Sequence, residues 1–156
     1  MEILLKKSYL TMIKNSIGTK MFRNLFAYLE NGEEKDILQN GKNSCAVFVS
    51  AVLYMSKLIE SMHATVASTV KDLEKSGWGK VENPKSGDVL VWEPFLWPGD
   101  KEKHEHIGFY IGDEKAISND SKSGTPQEHH ITYGEESGSP VRKITAIYRH
   151  PKINSK

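Results

Sequence analysis

Residues 106–118 read HIGFYIGDEKAIS, two short runs of apolar and aromatic residues separated by a Gly-Asp turn. Runs of this kind are typical of β-strands, so the segment predicts strands at His106–Ile111 and Lys115–Ser118. Similar runs at Asp88–Trp92 and Lys143–Arg149 lie on either side of it. Glycine and proline separate the runs, as tight turns require. The second half of the chain therefore predicts a small β-sheet.

The first half of the chain predicts helices. A short helix fits residues 4–15, and residues 45–59 (CAVFVSAVLYMSKLI) are apolar on nearly every face, which is typical of a helix at the centre of a domain. Ala64–Lys75 is amphipathic and is followed by Gly77, as at the end of a helix. Helices followed by strands, rather than strict alternation, predict an α+β domain with an antiparallel sheet.

Residues 22–37 predict a hairpin, because Asn31-Gly32 lies between two runs that contain apolar residues. This dipeptide favours a type I′ turn, in which both central residues have positive φ. The sequence contains no repeat, low-complexity segment or long linker. We therefore expect one domain over residues 1–156, in which residues 1–35 form a helical and hairpin elaboration.

Composition excludes several classes of partner. The 156 residues are 38% hydrophobic and 26% charged, and no apolar run is long enough to span a bilayer. Lysine and arginine (21) nearly balance aspartate and glutamate (20), so the net charge of +1 gives no electrostatic case for nucleic acid or a membrane surface. We expect a soluble protein, without a membrane span or a nucleic-acid partner, that acts as a monomer.

The N-terminal residues do not resemble a secretory leader. Lys6, Lys7 and Lys14 interrupt the apolar residues there, and no small-residue cleavage site follows. We therefore expect a protein that is cytoplasmic as synthesised, with export by another route or delivery by a phage left open. The single cysteine, Cys45, cannot form an internal disulfide, so the fold does not depend on an oxidising compartment.

Cys45 lies where the central helix should begin. The positive end of the helix dipole favours a thiolate there, which would make Cys45 a nucleophile. Ser44 or Asn43 would cap this helix by accepting a hydrogen bond from a backbone N–H. The alternative is that Cys45 is a small hydrophobic residue of the core, where free cysteine is common. Position alone leaves both interpretations open.

Two polar residues could complete a site around Cys45. His106 opens a predicted strand, and a histidine at a sheet edge can face a helix N-terminus and act as a base. Asn119 ends the next predicted strand, where its amide could accept the imidazole N–H and fix its tautomer. A surface strand end for His106 and a simple turn at Ser118-Asn119-Asp120 are the alternatives.

Three segments, SCAVFV at 44–49, KSGDVLVW at 85–92 and HIGFYIG at 106–112, stand in an order that resembles the NlpC-type and CHAP-type branches of the papain-like cysteine peptidases and amidases. The resemblance covers roughly residues 36–149. It implies a papain-like fold, in which the nucleophile helix packs on a small antiparallel sheet, and an enzyme without a cofactor. It also implies cleavage of amide bonds in peptidoglycan stem peptides or cross-links, in a bacterial or phage setting.

The resemblance assigns Cys45 as nucleophile and His106 as base, with a third residue at Ser118 or Asn119. NlpC-type enzymes often carry histidine at the place of Ser118, and serine is expected to orient an imidazole poorly. We therefore predict Asn119 as the third residue, over Ser118 and Asp120. Because neighbouring strand residues point to opposite faces, this choice assumes a bulge or an early strand end.

The backbone N–H of Cys45 is the first expected donor of an oxyanion hole. Gln39 resembles the papain glutamine at the same spacing and is the second candidate, although a glutamine in a polar loop is more often only solvated. Ser44, Trp92 and His130 are expected to line the substrate cleft, with His130 capping a loop as the alternative. Aromatic residues in strands are more often part of the core.

Two other functions stay open for the same residues. Histidines and glutamates in the second half could bind zinc, but their spacing matches no metal motif, and neighbouring histidines on a strand point oppositely, so no metal is predicted. These residues are His104, Glu105, His106, Glu128, His129 and His130. An inactive binding module and an acyltransferase with the same Cys–His pair are the alternatives to a hydrolase.

Overall fold

The computed structural model of the chain describes residues 1–154. Within these residues the helices are α1 (Leu5–Asn15), α2 (Cys45–Met55), α3 (Val66–Lys75) and α4 (Pro151–Asn154). The strands are β1 (Phe26–Tyr28), β2 (Glu34–Asp36), β3 (Gly79–Lys80), β4 (Val89–Phe95), β5 (His104–Gly112), β6 (Lys115–Asp120), β7 (Thr125–His130), β8 (Glu135–Glu136), β9 (Ser139–Pro140) and β10 (Ile144–Arg149).

Six strands form the main sheet, in the order β3-β10-β4-β5-β6-β7, and each neighbouring pair is antiparallel. The pairs β1–β2 and β8–β9 form two small separate hairpins. The molecule is thus an α+β arrangement with helices before an antiparallel sheet. None of the helices in the described residues is long and apolar enough to cross a membrane.

Helix α2 lies at the centre because every residue from Ala46 to Leu53 is buried, and it packs on β5 and β6. The ring of Phe48 meets Phe109 of β5 edge-on, with centroids 5.5 Å apart. The helix ends at Met55, before the predicted Ile59, in a Schellman motif: the N–H of Leu58 bonds the carbonyl of Leu53 at 2.9 Å. Lys57 takes the required left-handed conformation, with φ of 56°.

Helix α1 belongs to the main core rather than to a peripheral elaboration. Tyr9 and Ile13 are fully buried, and the Tyr9 ring lies edge-on to Phe109 at 5.8 Å. The Tyr9 hydroxyl donates a hydrogen bond to the carbonyl of Gly87 at 2.9 Å, which ties α1 to the entrance of β4. The N-terminal 35 residues therefore help to build the domain.

The predicted hairpin is present, but its turn differs from the expected type I′. Gly32 alone of the dipeptide has positive φ (80°), while Asn31 keeps a negative φ. The N–H of Gly32 bonds the carbonyl of Leu29, and the N–H of Leu29 bonds the carbonyl of Glu33, both at 2.8 Å. This is a three-residue loop with glycine in the left-handed position, the next most common hairpin connection.

Asp88, in the Lys-Ser-Gly-Asp segment, has a structural role. It is 1% exposed and accepts hydrogen bonds from Nε and Nη2 of Arg149 at 2.9 and 2.6 Å. A buried carboxylate is tolerated only with such partners. The pair joins the start of β4 to the end of β10 and fixes the middle of the sheet on which the candidate site lies.

Candidate active site

A cavity of about 1260 Å³ opens at the N-terminus of α2, where β5 begins and β6 ends. Its wall contains three of the residues predicted from sequence, Cys45, His106 and Asn119. It also contains Ser118, the alternative third residue, and residues that the sequence did not bring forward for this role: Asn43, His129, Tyr133 and Arg142.

The loop before α2 is organised by the carboxylate of Asp36. This group accepts hydrogen bonds from the backbone N–H groups of Leu25, Leu38 and Asn40, and from the Asn24 amide. Desolvation acts to raise the pKa of Asp36, but these four donors outweigh it and lower the pKa to about 2. The loop that presents Cys45 is therefore tied to the β1–β2 hairpin.

Gly41, four residues before Cys45, can only be glycine. It has φ of 93°, and a Cβ atom there would lie 2.4 Å from the carbonyl oxygen of Gly124. Gln39 and Asn40 before it also have positive φ, at 51° and 55°. The chain thus takes three left-handed residues in succession to bring its backbone against the β6–β7 turn and then start the helix.

The thiol of Cys45 is half-buried and protonated at neutral pH. Burial raises its pKa above 9.0, and this outweighs hydrogen bonds from the backbone N–H groups of Ile107 and Ala46 and the positive charge of Arg142, which lower it. The expectation that the helix start would favour a thiolate is therefore not met in the resting structure, because desolvation is the larger effect.

His106 is part of a chain of side-chain hydrogen bonds. Its Nε2 lies 2.8 Å from Oγ of Ser118, and the same Oγ lies 2.7 Å from Nε2 of His129. Nδ1 of His129 lies 2.7 Å from the carbonyl oxygen of His130. The Tyr133 hydroxyl, 3.2 Å from Ser118 Oγ, is a further partner of the same oxygen.

The direction of this chain fixes the tautomer of His106. The carbonyl of His130 can only accept, so Nδ1 of His129 carries a proton and its Nε2 accepts from the Ser118 hydroxyl. Ser118 Oγ then accepts from Nε2–H of His106, which leaves Nδ1 of His106 with a lone pair. Serine was expected to orient an imidazole poorly. Here Ser118 can orient the His106 imidazole, because its hydroxyl donates to His129 and leaves the oxygen free to accept from His106.

Aromatic rings surround these histidines. The His106 ring lies 5.3 Å from the Trp92 ring, and Tyr133 stacks on His129 at 4.0 Å with planes 10° apart. Burial, followed by the charges of Arg142 and His129, lowers the pKa of His106 to about 3. The imidazole is therefore neutral at neutral pH, as a general base must be.

Asn119 does not contact His106, contrary to the expectation. Its Nδ2 donates to the carbonyl of Gly41 at 2.7 Å, on the face of β6 opposite to Ser118. The bulge assumed for Asn119 is not at that place: Ser118 pairs regularly with Gly108, and the register shift of β5 and β6 lies nearer their turn. Asp120 instead accepts the N–H of Ser123 at 2.8 Å.

The other expected cleft residues lie outside the cavity wall. Trp92 is fully buried beneath the histidines, and its Nε1 donates to the carbonyl of Ile131 at 2.7 Å. His130 caps a turn, its Nδ1 accepting the N–H of Thr132 at 3.2 Å. Gln39 is exposed, and Ser44 is fully buried, with an Oγ that has no hydrogen-bond partner in the described chain and so does not cap α2.

Cys45 and His106 face one cavity, but in the part of the chain that the structure describes no hydrogen bond joins the thiol to the imidazole. The start of β5 is paired with β4: Ile107 lies opposite Val91, and His106 lies opposite Trp92. Catalytic hydrogen bonds are often long before a substrate binds and shorten in the complex. The absence of this hydrogen bond in the described structure is thus compatible with a Cys–His pair.

Three residues of the wall carried no usable signal in the sequence. His129 lies in the polar edge strand TPQEHH, which has no apolar alternation to identify it; an edge strand tolerates proline and charges. Tyr133 and Arg142 lie in the irregular segment between β7 and β10. For Ser118 the usable signal was the alternation along β5 and β6, since it places Ser118 on the face of His106.

The structure places the histidines considered as zinc ligands in different surroundings. His106 and His129 share Ser118, His130 caps its turn, and His104 is exposed. Across residues 1–154, no three His, Cys, Asp or Glu side chains are grouped so as to hold a metal ion.

In comparisons with known proteins, no family model matches this chain and no curated protein is significantly similar to it.

Proposed function

We propose that this protein is a cysteine-nucleophile hydrolase of amide bonds with a papain-like fold. The observation that carries the proposal is the pair formed by Cys45, at the N-terminus of a buried helix, and His106, whose lone pair on Nδ1 is set by Ser118. Both side chains line one cavity. The resemblance to NlpC-type and CHAP-type enzymes in the segments around both residues supports the same chemistry.

The reaction starts from a neutral pair. His106 Nδ1 takes the thiol proton as the sulfur attacks the amide carbonyl, and the C–N bond breaks as Nδ1 returns that proton to the leaving amine. A water molecule then loses a proton to Nδ1 and attacks the thioester, releasing the acid and the Cys45 thiol. Ser118 keeps Nε2–H of His106 in place through both half-reactions.

Negative charge on the carbonyl oxygen needs donors at the start of α2. The backbone N–H of Cys45 is one. Asn43, half-buried and in the cavity wall two residues earlier, takes the role expected for Gln39, which is exposed outside this wall. We propose the Asn43 amide as the second donor.

One observation favours a different function, an inactive binding module. Burial raises the pKa of Cys45, and the described chain has no hydrogen bond from the thiol to His106. A thiol of this kind could simply be a core residue. Alkylation by iodoacetamide separates the two functions, because only a working pair makes the reactivity of Cys45 depend on His106.

We expect iodoacetamide to label Cys45 in the folded protein at neutral pH, and at least tenfold faster in the wild type than in His106→Ala, since positioned general bases typically contribute roughly 10²–10⁴-fold. The matched control is His104→Ala, an exposed histidine two residues earlier on the same strand. Equal rates in the wild type and His106→Ala, or a thiol that reacts only after denaturation, would contradict the enzymatic function.

The proposed substrate class is a peptidoglycan stem peptide or cross-link. Purified peptidoglycan incubated with the wild type should release fragments whose masses locate the cleaved amide, and Cys45→Ala should release none. Water as acceptor distinguishes a hydrolase from an acyltransferase: in ¹⁸O-labelled water the new carboxyl group should carry the label. Turnover by Cys45→Ala would refute the mechanism.

A further inference from the structure

Arg142 is a buried cation in the wall of the candidate site. It is 4% exposed and precedes β10. Its Nε donates to the carbonyl of Glu93 at 3.0 Å, and its Nη2 donates to the carbonyl of His104 at 2.6 Å. The guanidinium therefore lies where the end of β4 and the start of β5 meet the cavity.

Arg142 makes no ion pair with a carboxylate in the described residues, although the negative charge of Glu93 acts on it. Among residues 1–154 the ion pairs use other cations, including Lys42, which pairs with Asp100 at 2.9 Å in the same wall. The hydrogen-bond acceptors of Arg142 are carbonyl oxygens, which satisfy two N–H groups but supply no full negative charge, and the Phe95 ring lies 5.7 Å from its guanidinium carbon. A buried cation without a counter-ion costs free energy, so its presence beside a cavity calls for an anionic partner.

One end of the guanidinium is open to the cavity. Nη1 makes no hydrogen bond within the described residues, and the protein does not bury this atom completely. It therefore faces space that a ligand can enter. A guanidinium edge matches the two oxygens of a carboxylate, to which it donates parallel hydrogen bonds.

Arg142 is also close to the reacting groups. It lines the same cavity as Cys45 and His106, and its Nη2 is bonded to the carbonyl of His104, two residues before His106. Its charge accordingly lowers the pKa of both groups. A ligand group held by Nη1 would thus lie near the carbonyl that the thiol attacks.

From this geometry we propose that Arg142 binds a free carboxylate of the substrate, next to the amide bond that Cys45 attacks. The substrate is then an acidic peptide with a carboxylate beside the scissile amide. This inference rests on the proposed hydrolase function and adds the chemical class of the group on one side of the bond.

Two alkylating reagents of nearly equal size test the inference without a known substrate. Iodoacetate carries a carboxylate and iodoacetamide does not, and both modify Cys45. Relative to a small free thiol, the wild type should favour iodoacetate over iodoacetamide by roughly tenfold, the ratio that about 1.4 kcal/mol produces. Arg142→Gln should lose this preference, and the matched control Lys103→Gln, which removes an exposed cation from the same wall, should keep it.

The outcomes separate the two proposals. Labelling that depends on His106 but shows no preference for iodoacetate, or the same preference in Arg142→Gln and the wild type, overturns the carboxylate site and leaves the hydrolase standing. A folded protein in which neither reagent reaches Cys45 overturns the hydrolase, and this inference with it.

A second measurement needs no variant, in case Arg142→Gln does not fold. N-acetylglycine, which has a carboxylate, should slow iodoacetamide labelling of the wild type severalfold more than N-acetylglycinamide at the same concentration. Equal protection by the two compounds, or protection by neither, overturns the carboxylate site.

Discussion

The two faces of the six-stranded sheet use neighbouring residues for different purposes. On the face covered by α2, Ile107 and Ile117 are fully buried in the main core, and Asn119 secures the loop before Cys45. On the other face, His106 and Ser118 belong to a polar chain that rests on Trp92. Strand alternation alone separates these two sets of residues, so a shift of one residue along a strand moves a side chain from the face covered by α2 to the face of His106.

The largest effect should follow from removing the base on the polar face. His106→Ala should lower kcat by roughly 10²–10⁴-fold in peptidoglycan cleavage, because no group then takes the thiol proton. The variant should still fold, as circular dichroism can check, but its free energy of unfolding should fall because a buried ring that packs on Trp92 is lost. A variant with more than a tenth of wild-type activity would show that the polar face is not catalytic.

Ser118→Ala should lower kcat by roughly tenfold to a hundredfold. The change removes the hydrogen bond that sets the tautomer of His106. It also leaves Nε2 of His129 without its donor, and an unpaired buried group of this kind costs about 1–3 kcal/mol in free energy. Because Ser118 acts through His106, the effect should fall on kcat and on the pH profile rather than on KM. Unchanged kcat would show that Ser118 only packs against the histidines.

Asn119→Ala, one residue later, should have the opposite pattern. Loss of its hydrogen bond to Gly41 leaves a buried carbonyl unpaired, so the free energy of unfolding should fall by about 1–3 kcal/mol, measured by urea denaturation. Activity at temperatures where the variant is folded should fall less than in Ser118→Ala. A larger loss of kcat than in Ser118→Ala would restore Asn119 as the third residue.

The last prediction concerns stability at low pH, where the polar face should titrate first. The pKa of His106 falls from 6.5 to about 3 on folding, so the unfolded chain binds more protons and stability declines as pH falls from 6.5 towards 3. Asp36 and Asp72, with pKa lowered from 3.8 to about 2, add a second loss below pH 3.8. His106→Gln should reduce the first loss only, in urea denaturation measured across this range.

Equal pH dependence in the wild type and His106→Gln would show that His106 does not titrate in that window. In the wild type, the acid limb of kcat/KM should lie near pH 3 rather than 6.5, because the base is neutral over the range between them.

Much of the fold followed from local patterns. The start of α2 at Cys45 and the strands β5 and β6 were predicted closely, since apolar runs and turn residues specify them. The Cys45–His106 pair came from sequence order. The resemblance offered Ser118 or Asn119 as the partner of His106, and Asn119 was preferred because the hydrogen-bonding capacity of Ser118 depends on His129, from an edge strand with almost no pattern. Arg142 was equally invisible, since it lies in an irregular segment.

The contact between Gly41 and Gly124 has a topological consequence. The two backbones touch and pin the ends of one long chain loop, and that loop contains Cys45, His106 and Ser118 together. The proposed nucleophile, base and positioning hydroxyl thus share one closed ring of chain, whereas His129 and Arg142 reach the site from outside it. Recombination between related chains at these two glycines would transfer the reactive trio as one piece, while the groups that tune it and select its substrate would come from the recipient.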